Sequence, residues 1–171
     1  MTIMTSAYAN KVLKKLQEDK DFWRRKEEEC HTYIAALDEE PVIPEYDYVA
    51  VAAEIASIDE RMATIKHAIN MTNATVPIAV GDKEMTVDVI LVRMAQLNKR
   101  KDFLDRLRKT LPKARVSSGY YSSRKTAPEY EYINYDLEIV NKDYEVIDAQ
   151  IAAMQIALDK HNQTFEFEVE L

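Results

Sequence analysis

The stretch YVAVAAEIASIDERMATIKHAINMT, residues 48–72, decides the fold. Within it Tyr48, Val51, Ile55, Ile58, Met62, Ile65, Ile69 and Thr72 recur at alternating intervals of three and four. An α-helix turns once every 3.6 residues, so this spacing gathers them on a single stripe. Asp59, Glu60, Arg61 and Lys66 fall on the opposite face. A seam held for more than three heptads is stable only when another helix covers it. The segment predicts a helix over about 46–72, roughly 40 Å long at ~1.5 Å per residue.

The same rhythm recurs on either side. Leu16, Trp23, Cys30 and Leu37 step by seven, with Val12 and Ile34 beside them, and predict a first helix over 6–38. Asp19 and Glu27 interrupt its companion positions, Ser6 is its expected cap, and Pro41 and Pro44 are its expected stop. Ile90, Met94, Leu97, Leu104, Leu107 and Leu111 predict a third helix over 87–111. Lys101 breaks that stripe, its methylene stem being long enough to lie along the seam. Thr86 and Asp88 suit the start of this helix, and Pro112 its end. Leu137, Val140, Tyr144, Ile147, Ile151, Met154, Leu158 and His161 predict a fourth helix over 134–161, with Asn134 as its cap.

Between the helices the period changes to two. Val76, Ile78 and Val80 alternate ahead of Gly81-Asp82, which predicts a β-hairpin over 76–85. Tyr130 and Tyr132 alternate with glutamates and predict a strand over 129–133. Phe165, Phe167 and Val169 do the same over 164–170, and this last strand is the expected partner of the tyrosine-rich one. The expectation is therefore one mainly helical domain over 1–171. Its antiparallel helical hairpins form a four-helix, coiled-coil-like bundle with short β elements near the helix ends and the C-terminus. The layout reads as two weakly similar halves.

Composition supports this and excludes much else. The 171 residues contain only two glycines, Gly81 and Gly119, too few for a Rossmann fingerprint, a P-loop or a turn-rich sandwich. A single cysteine, Cys30, rules out an intrachain disulfide and a cysteine-cluster zinc site. The first residues have no secretory pattern and no apolar run approaches the ~20 residues of a membrane helix. A cytoplasmic protein with a reduced Cys30 is expected.

Chemistry-bearing constellations are sparse. Cys30 and His31 are adjacent and point to different sides of a helix, His67 lies beside a seam position, and His161 closes the fourth seam near a helix C-terminus, where the charged form is favoured. Carboxylate runs such as Glu27-Glu28-Glu29, Asp38-Glu39-Glu40 and Asp59-Glu60 sit beside basic residues on exposed faces. A di-iron bundle needs Glu-x-x-His pairs, which the second helix does not offer. The sequence predicts no catalytic residue, no cofactor and no metal, hence no enzyme.

Charge is the second strong signal. Residues 93–125 hold 11 basic and 2 acidic side chains, whereas residues 126–171 hold 2 basic and 11 acidic ones, so segments of net +9 and -9 adjoin within a chain of net charge -7. Arg100, Arg108, Lys113, Arg115, Arg124 and Lys125 are the candidate contacts to phosphates, with Tyr121 as a stacking surface. Pairing of this segment with the acidic fourth helix is the competing reading.

Punctuating residues carry a resemblance. Ile69-Asn70-Met71-Thr72-Asn73-Ala74-Thr75 follows a seamed helix, Thr86-Val87-Asp88 opens the next, Tyr121-Ser122-Ser123-Arg124-Lys125 precedes a strand and a long helix, and the chain closes on Asp159 to Asn162 and Leu171. This order resembles a family of small bacterial proteins labelled septicolysin, over about residues 46–171. The chain departs from that pattern after Tyr121, with an extra serine before Arg124 and a Thr126-Ala127-Pro128 segment. The resemblance implies a helical fold and self-assembly, and its label implies a haemolysin. It assigns no catalytic residue.

Three functional expectations follow. The first is a homo-oligomeric structural or interaction module, because Ile139, Val146, Ile156 and several alanines leave surplus apolar surface on the fourth helix. The second is a nucleic-acid or polyanion-binding module built on residues 93–125. The third is an enzyme or metalloprotein built on a bundle.

Overall fold

The structure, a computed structural model, describes residues 1–116 and 129–170. The order is β1 (Thr2–Thr5), α1 (Ser6–Cys30), α2 (Tyr48–Thr75), β2 (Pro77–Val80), β3 (Lys83–Thr86), α3 (Val87–Lys109), β4 (Lys113–Arg115), β5 (Tyr130–Tyr132), α4 (Leu137–Thr164) and β6 (Glu166–Val169). The molecule is mainly helical, with short strands paired two by two: β1 with β6, β2 with β3, and β4 with β5. The chain divides into two compact units, Met1–Ile78 with Leu158–Leu171, and Ala79–Ala157.

In the first unit α1 and α2 form an antiparallel hairpin. Ala9 and Leu16 from α1 meet Ile58 and Ile65 from α2 in one buried cluster, flanked by Val12, Leu13, Trp23, Met62 and Ile69. The buried residues of α2, Val51, Ile58, Ile65 and Thr72, are spaced by seven, and the intervening Ile55, Met62 and Ile69 are half-buried. This alternation is what a helix pair with a heptad seam produces. Fully burying a side chain such as Ile65 contributes about 1.5–3 kcal/mol.

A two-stranded clip completes this unit. β1 and β6 run antiparallel, with Thr2 opposite Val169 and Met4 opposite Phe167. Met4 and Val169 add their buried side chains to the α1–α2 cluster. The clip changes two expectations. β6 pairs with β1 and not with the tyrosine-rich strand, because β1 supplies an alternation, Ile3 out and Met4 in, that is too short to read in Thr2–Thr5 alone. The tyrosine-rich β5 instead pairs with β4, for which no strand was expected, with Lys113 opposite Tyr132 and Arg115 opposite Tyr130.

Helix ends and caps differ from expectation in several places. α1 stops at Cys30, well before the prolines, because the His31 imidazole turns back with Nδ1 3.0 Å from the carbonyl oxygens of Glu27 and Glu28. A side chain that bonds the last free carbonyls satisfies groups that the helix would otherwise have to continue to pair. Ile34 and Leu37 therefore lie beyond the helix and pack on no seam. The cap of α1 is Thr5, whose hydroxyl accepts from the Tyr8 N–H at 3.2 Å, while Ser6 is buried as the first helical residue. The cap of α4 is Asp136 and not Asn134: its carboxylate accepts from the Glu138 N–H at 2.7 Å. Tyr48 and Leu111, read as seam ends, are exposed.

In the second unit α3 and α4 are antiparallel partners. Ile90, Leu97 and Leu104 on α3 and Val140 and Met154 on α4 are buried. Where the third seam carries Lys101, its ammonium pairs with Asp148 and stands 5.6 Å from the centre of the Tyr144 ring. That bond holds the Lys101 ammonium above its usual pKa. The Arg108 guanidinium lies 3.9 Å from the same ring, and the Tyr135 hydroxyl donates to the Leu107 carbonyl at 2.7 Å. The β2–β3 turn falls where expected, with Gly81 at φ +59°, a left-handed conformation open to glycine without strain.

Candidate interaction surface

The second unit carries a groove along one flank of its helix pair. It has a volume of about 650 Å³, and its apolar walls include Val89 from α3, Val146 and Ala153 from α4, and Met85 from β3. Their placement follows from the heptad. Val89 and Phe103 each precede a buried residue of α3 by one position, and on α4 Val146 precedes the half-buried Ile147 and Ala153 the buried Met154. In an antiparallel pair such flanking positions of both helices lie on the same side. Arg93 and Gln150 line the groove nearer the seam, and Asp82 and Lys83 of the β2–β3 turn close one end. Arg100 lies seven residues after Arg93, on the same face, with its guanidinium 5.5 Å from the Phe103 ring centre. Neither Lys83 nor Arg93 has an ion-pair partner among the described residues.

The first unit presents the opposite character. Residues 31–47 connect α1 to α2 with almost no regular structure. Ile34 and Leu37 are fully exposed at 100% and 103%, and Tyr33, Val42 and Ile43 are also largely exposed. The same strap holds Asp38, Glu39, Glu40, Glu45 and Asp47 and no lysine or arginine. Asp47 anchors its far end as the cap of α2, accepting from the Val49 N–H at 2.9 Å and the Ala50 N–H at 3.2 Å. Tyr46 lies near Glu27 and Cys30, where desolvation first and the Glu27 carboxylate second hold its phenol above the usual pKa. The sequence signal for the strap was present, an acidic-apolar run leading into Pro41 and Pro44, but the extended seam absorbed Ile34 and Leu37 into a helix.

The basic residues singled out for phosphate contact are spread over several settings. Arg108 donates to Asp105 at 2.9 Å and Lys109 bonds the other oxygen of that carboxylate at 2.5 Å, so Asp105 sits below the usual carboxylate range. Lys113 stands 4.2 Å from the Tyr130 ring centre and 5.4 Å from that of Tyr132. Arg115 is exposed on β4. Arg100 stacks over Phe103 on α3, and among the described residues no ion pair or ring contact joins it to Lys113 or Arg115; Tyr121, Arg124 and Lys125 lie outside the described residues.

His161 occupies the end of the fourth seam, where it is buried and stacked on Phe165 at 4.8 Å with a 17° angle between rings. Its Nε2 has no hydrogen-bond partner. Burial pushes its pKa below the ordinary value, overriding the helix-end field that would favour the charged form. Cys30 is a free, half-buried thiol. Among the described residues no group of three or more His, Cys, Asp or Glu side chains is arranged to hold a metal ion, and no helix is long and apolar enough to cross a membrane.

No family model matches the chain, and no curated protein matches it. A crystal structure of a functionally unknown conserved protein from Corynebacterium diphtheriae is similar over 98% of this chain and 100% of that one, with a TM-score of 0.57 and 14% identity. At that identity the likeness is one of fold.

Proposed function

We propose that this chain is a non-catalytic helical module that assembles with copies of itself, its hairpins packing in coiled-coil-like bundles. The observation that supports this most directly is on α4, where Ile139, Val146 and Ile156 stand 59, 55 and 69% exposed on a helix whose other face is buried. Apolar side chains repeated along a helix away from its own seam are surface that a second copy can cover. The adjoining segments of net +9 and -9 would set the register of copies by charge. Sedimentation velocity across the micromolar range tests this reading: a concentration-dependent shift to larger species is expected, and a strict monomer at every concentration refutes it.

A second reading, binding of nucleic acid or another polyanion, draws on the basic and aromatic side chains that meet on the β4–β5 pair, Lys113 and Arg115 beside Tyr130 and Tyr132. Titration of mixed oligonucleotides at two salt concentrations decides it. Affinity that falls steeply with salt supports the reading, and absence of binding at low salt removes it.

A further inference from the structure

We propose that the strap over residues 31–47 of one copy docks into the groove between α3 and α4 of another. This rests on the self-assembly reading above and names the surfaces that carry it. Three occupants suit an apolar groove: a small ligand, an unrelated helix, or a segment of a second copy. Charge and exposure together select the last.

The groove mixes apolar and basic groups, Val89 beside Arg93 on α3, and Lys83 adds a further cation at the turn against the single carboxylate of Asp82. The strap alternates in the complementary sense. Tyr33, Ile34, Leu37, Val42 and Ile43 are interspersed with Asp38, Glu39, Glu40 and Glu45. Strap against strap would bring like charges together, which disfavours pairing of the two tips. Strap against groove covers the apolar side chains of both and brings carboxylates to unpaired cations.

Dimension and shape agree with this. A groove of about 650 Å³ is of the size that takes a few side chains and not a whole helix. The segment Leu37–Ile43 extends to roughly 23 Å at ~3.3 Å per residue, and Pro41 within it favours an extended course. Strap and groove are different surfaces, so docking either runs reciprocally in a two-fold pair, each strap in the other copy's groove, or propagates head to tail into rings or open chains.

The full-length chain, in its wild-type form and three variants, tests this by sedimentation across the micromolar range, with circular dichroism as a check on folding. Leu37→Lys alters a side chain that touches nothing within its own copy and is expected to weaken association by about tenfold or more. Arg93→Glu is expected to weaken it as well. Combining Arg93→Glu with lysines at Asp38, Glu39 and Glu40 is expected to restore it, which a merely disordered strap would not do. A photo-crosslinker at position 37, in a mixture of isotopically labelled and unlabelled chains, should join strap to α3 or α4 between chains. If the wild type associates but Leu37→Lys and Arg93→Glu leave association unchanged, this docking mode is overturned while self-assembly stands. Crosslinks confined to single chains overturn it too. A wild type that is monomeric throughout overturns both.

Discussion

The two helical hairpins share a heptad and differ in what fills it. Between α1 and α2 the seam is apolar, with Ala9, Leu16, Ile58 and Ile65 continuous with Met4 and Val169 of the clip. Between α3 and α4 the buried residues Ile90, Leu97 and Leu104 alternate with Met94, Lys101 and Arg108, and the cations are met by Asp148 and the Tyr144 ring. The period of seven specifies that two helices pair, and the residues at the intervening positions specify how. Apolar fill gives stability through burial, which varies little with salt. Long cations over a tyrosine give a contact that is weaker per residue and more directional.

The largest effect that sharpens this contrast is a cavity in the dry seam. Ile65→Ala is expected to cost about 3 kcal/mol, because a fully buried branched side chain leaves a void among close-packed neighbours. Trp23, the single tryptophan, packs against the same cluster, so its fluorescence reports on that unit while circular dichroism reports on all helices. In urea the fluorescence midpoint of Ile65→Ala should fall. Ile90→Ala should shift the circular dichroism curve further than the fluorescence curve if the two seams melt separately. Coincident curves for both variants would show that the units unfold as one.

Smaller effects follow. Tyr144→Leu keeps apolar bulk but removes the ring beneath Arg108 and Lys101, and is expected to cost about 1 kcal/mol in urea unfolding. Asp47→Ala removes the α2 cap and should cost ~1 kcal/mol. A double-mutant cycle on Lys20 and Asp59, paired at 2.6 Å between α1 and α2, should give a coupling of roughly 0.5 kcal/mol, since the Asp59 carboxylate is half exposed and water screens the pair. The smallest effect is that of pH. His161 has a folded pKa below its unfolded one, so the unfolded chain binds the extra proton. Stability should be complete above about pH 6.5 and decline as pH falls below that value, and His161→Gln should flatten the decline. A flat profile in the wild type would place His161 in contact with water.

Four helices, the Gly81 turn and the seam residues of α2 were legible because period and punctuation are local. The clip was not, since β1 is four residues long and its partner lies at the far end of the chain. The end of α1 was misread because Ile34 and Leu37 continue the stripe in sequence, whereas the stop comes from the His31 side chain folding back on its own helix. The groove was legible only in part. The surplus residues Val146 and Ala153 were visible as apolar, but their alignment with Val89 and Arg93 depends on which helix pairs with which.

The clip also fixes an order of events during synthesis. The unit of α3 and most of α4 is contiguous, residues 79–157, and all of it has been made before Val169 leaves the ribosome. The other unit closes only when β6 reaches β1, a contact between the two extremes of the sequence. Of the three strand pairs among the described residues this one joins residues furthest apart in sequence, so it is the last able to form. Until it shuts, Met4 and the α1–α2 cluster lack the cover of Val169 and Phe167, so an apolar patch stays open on the nascent α1–α2 hairpin.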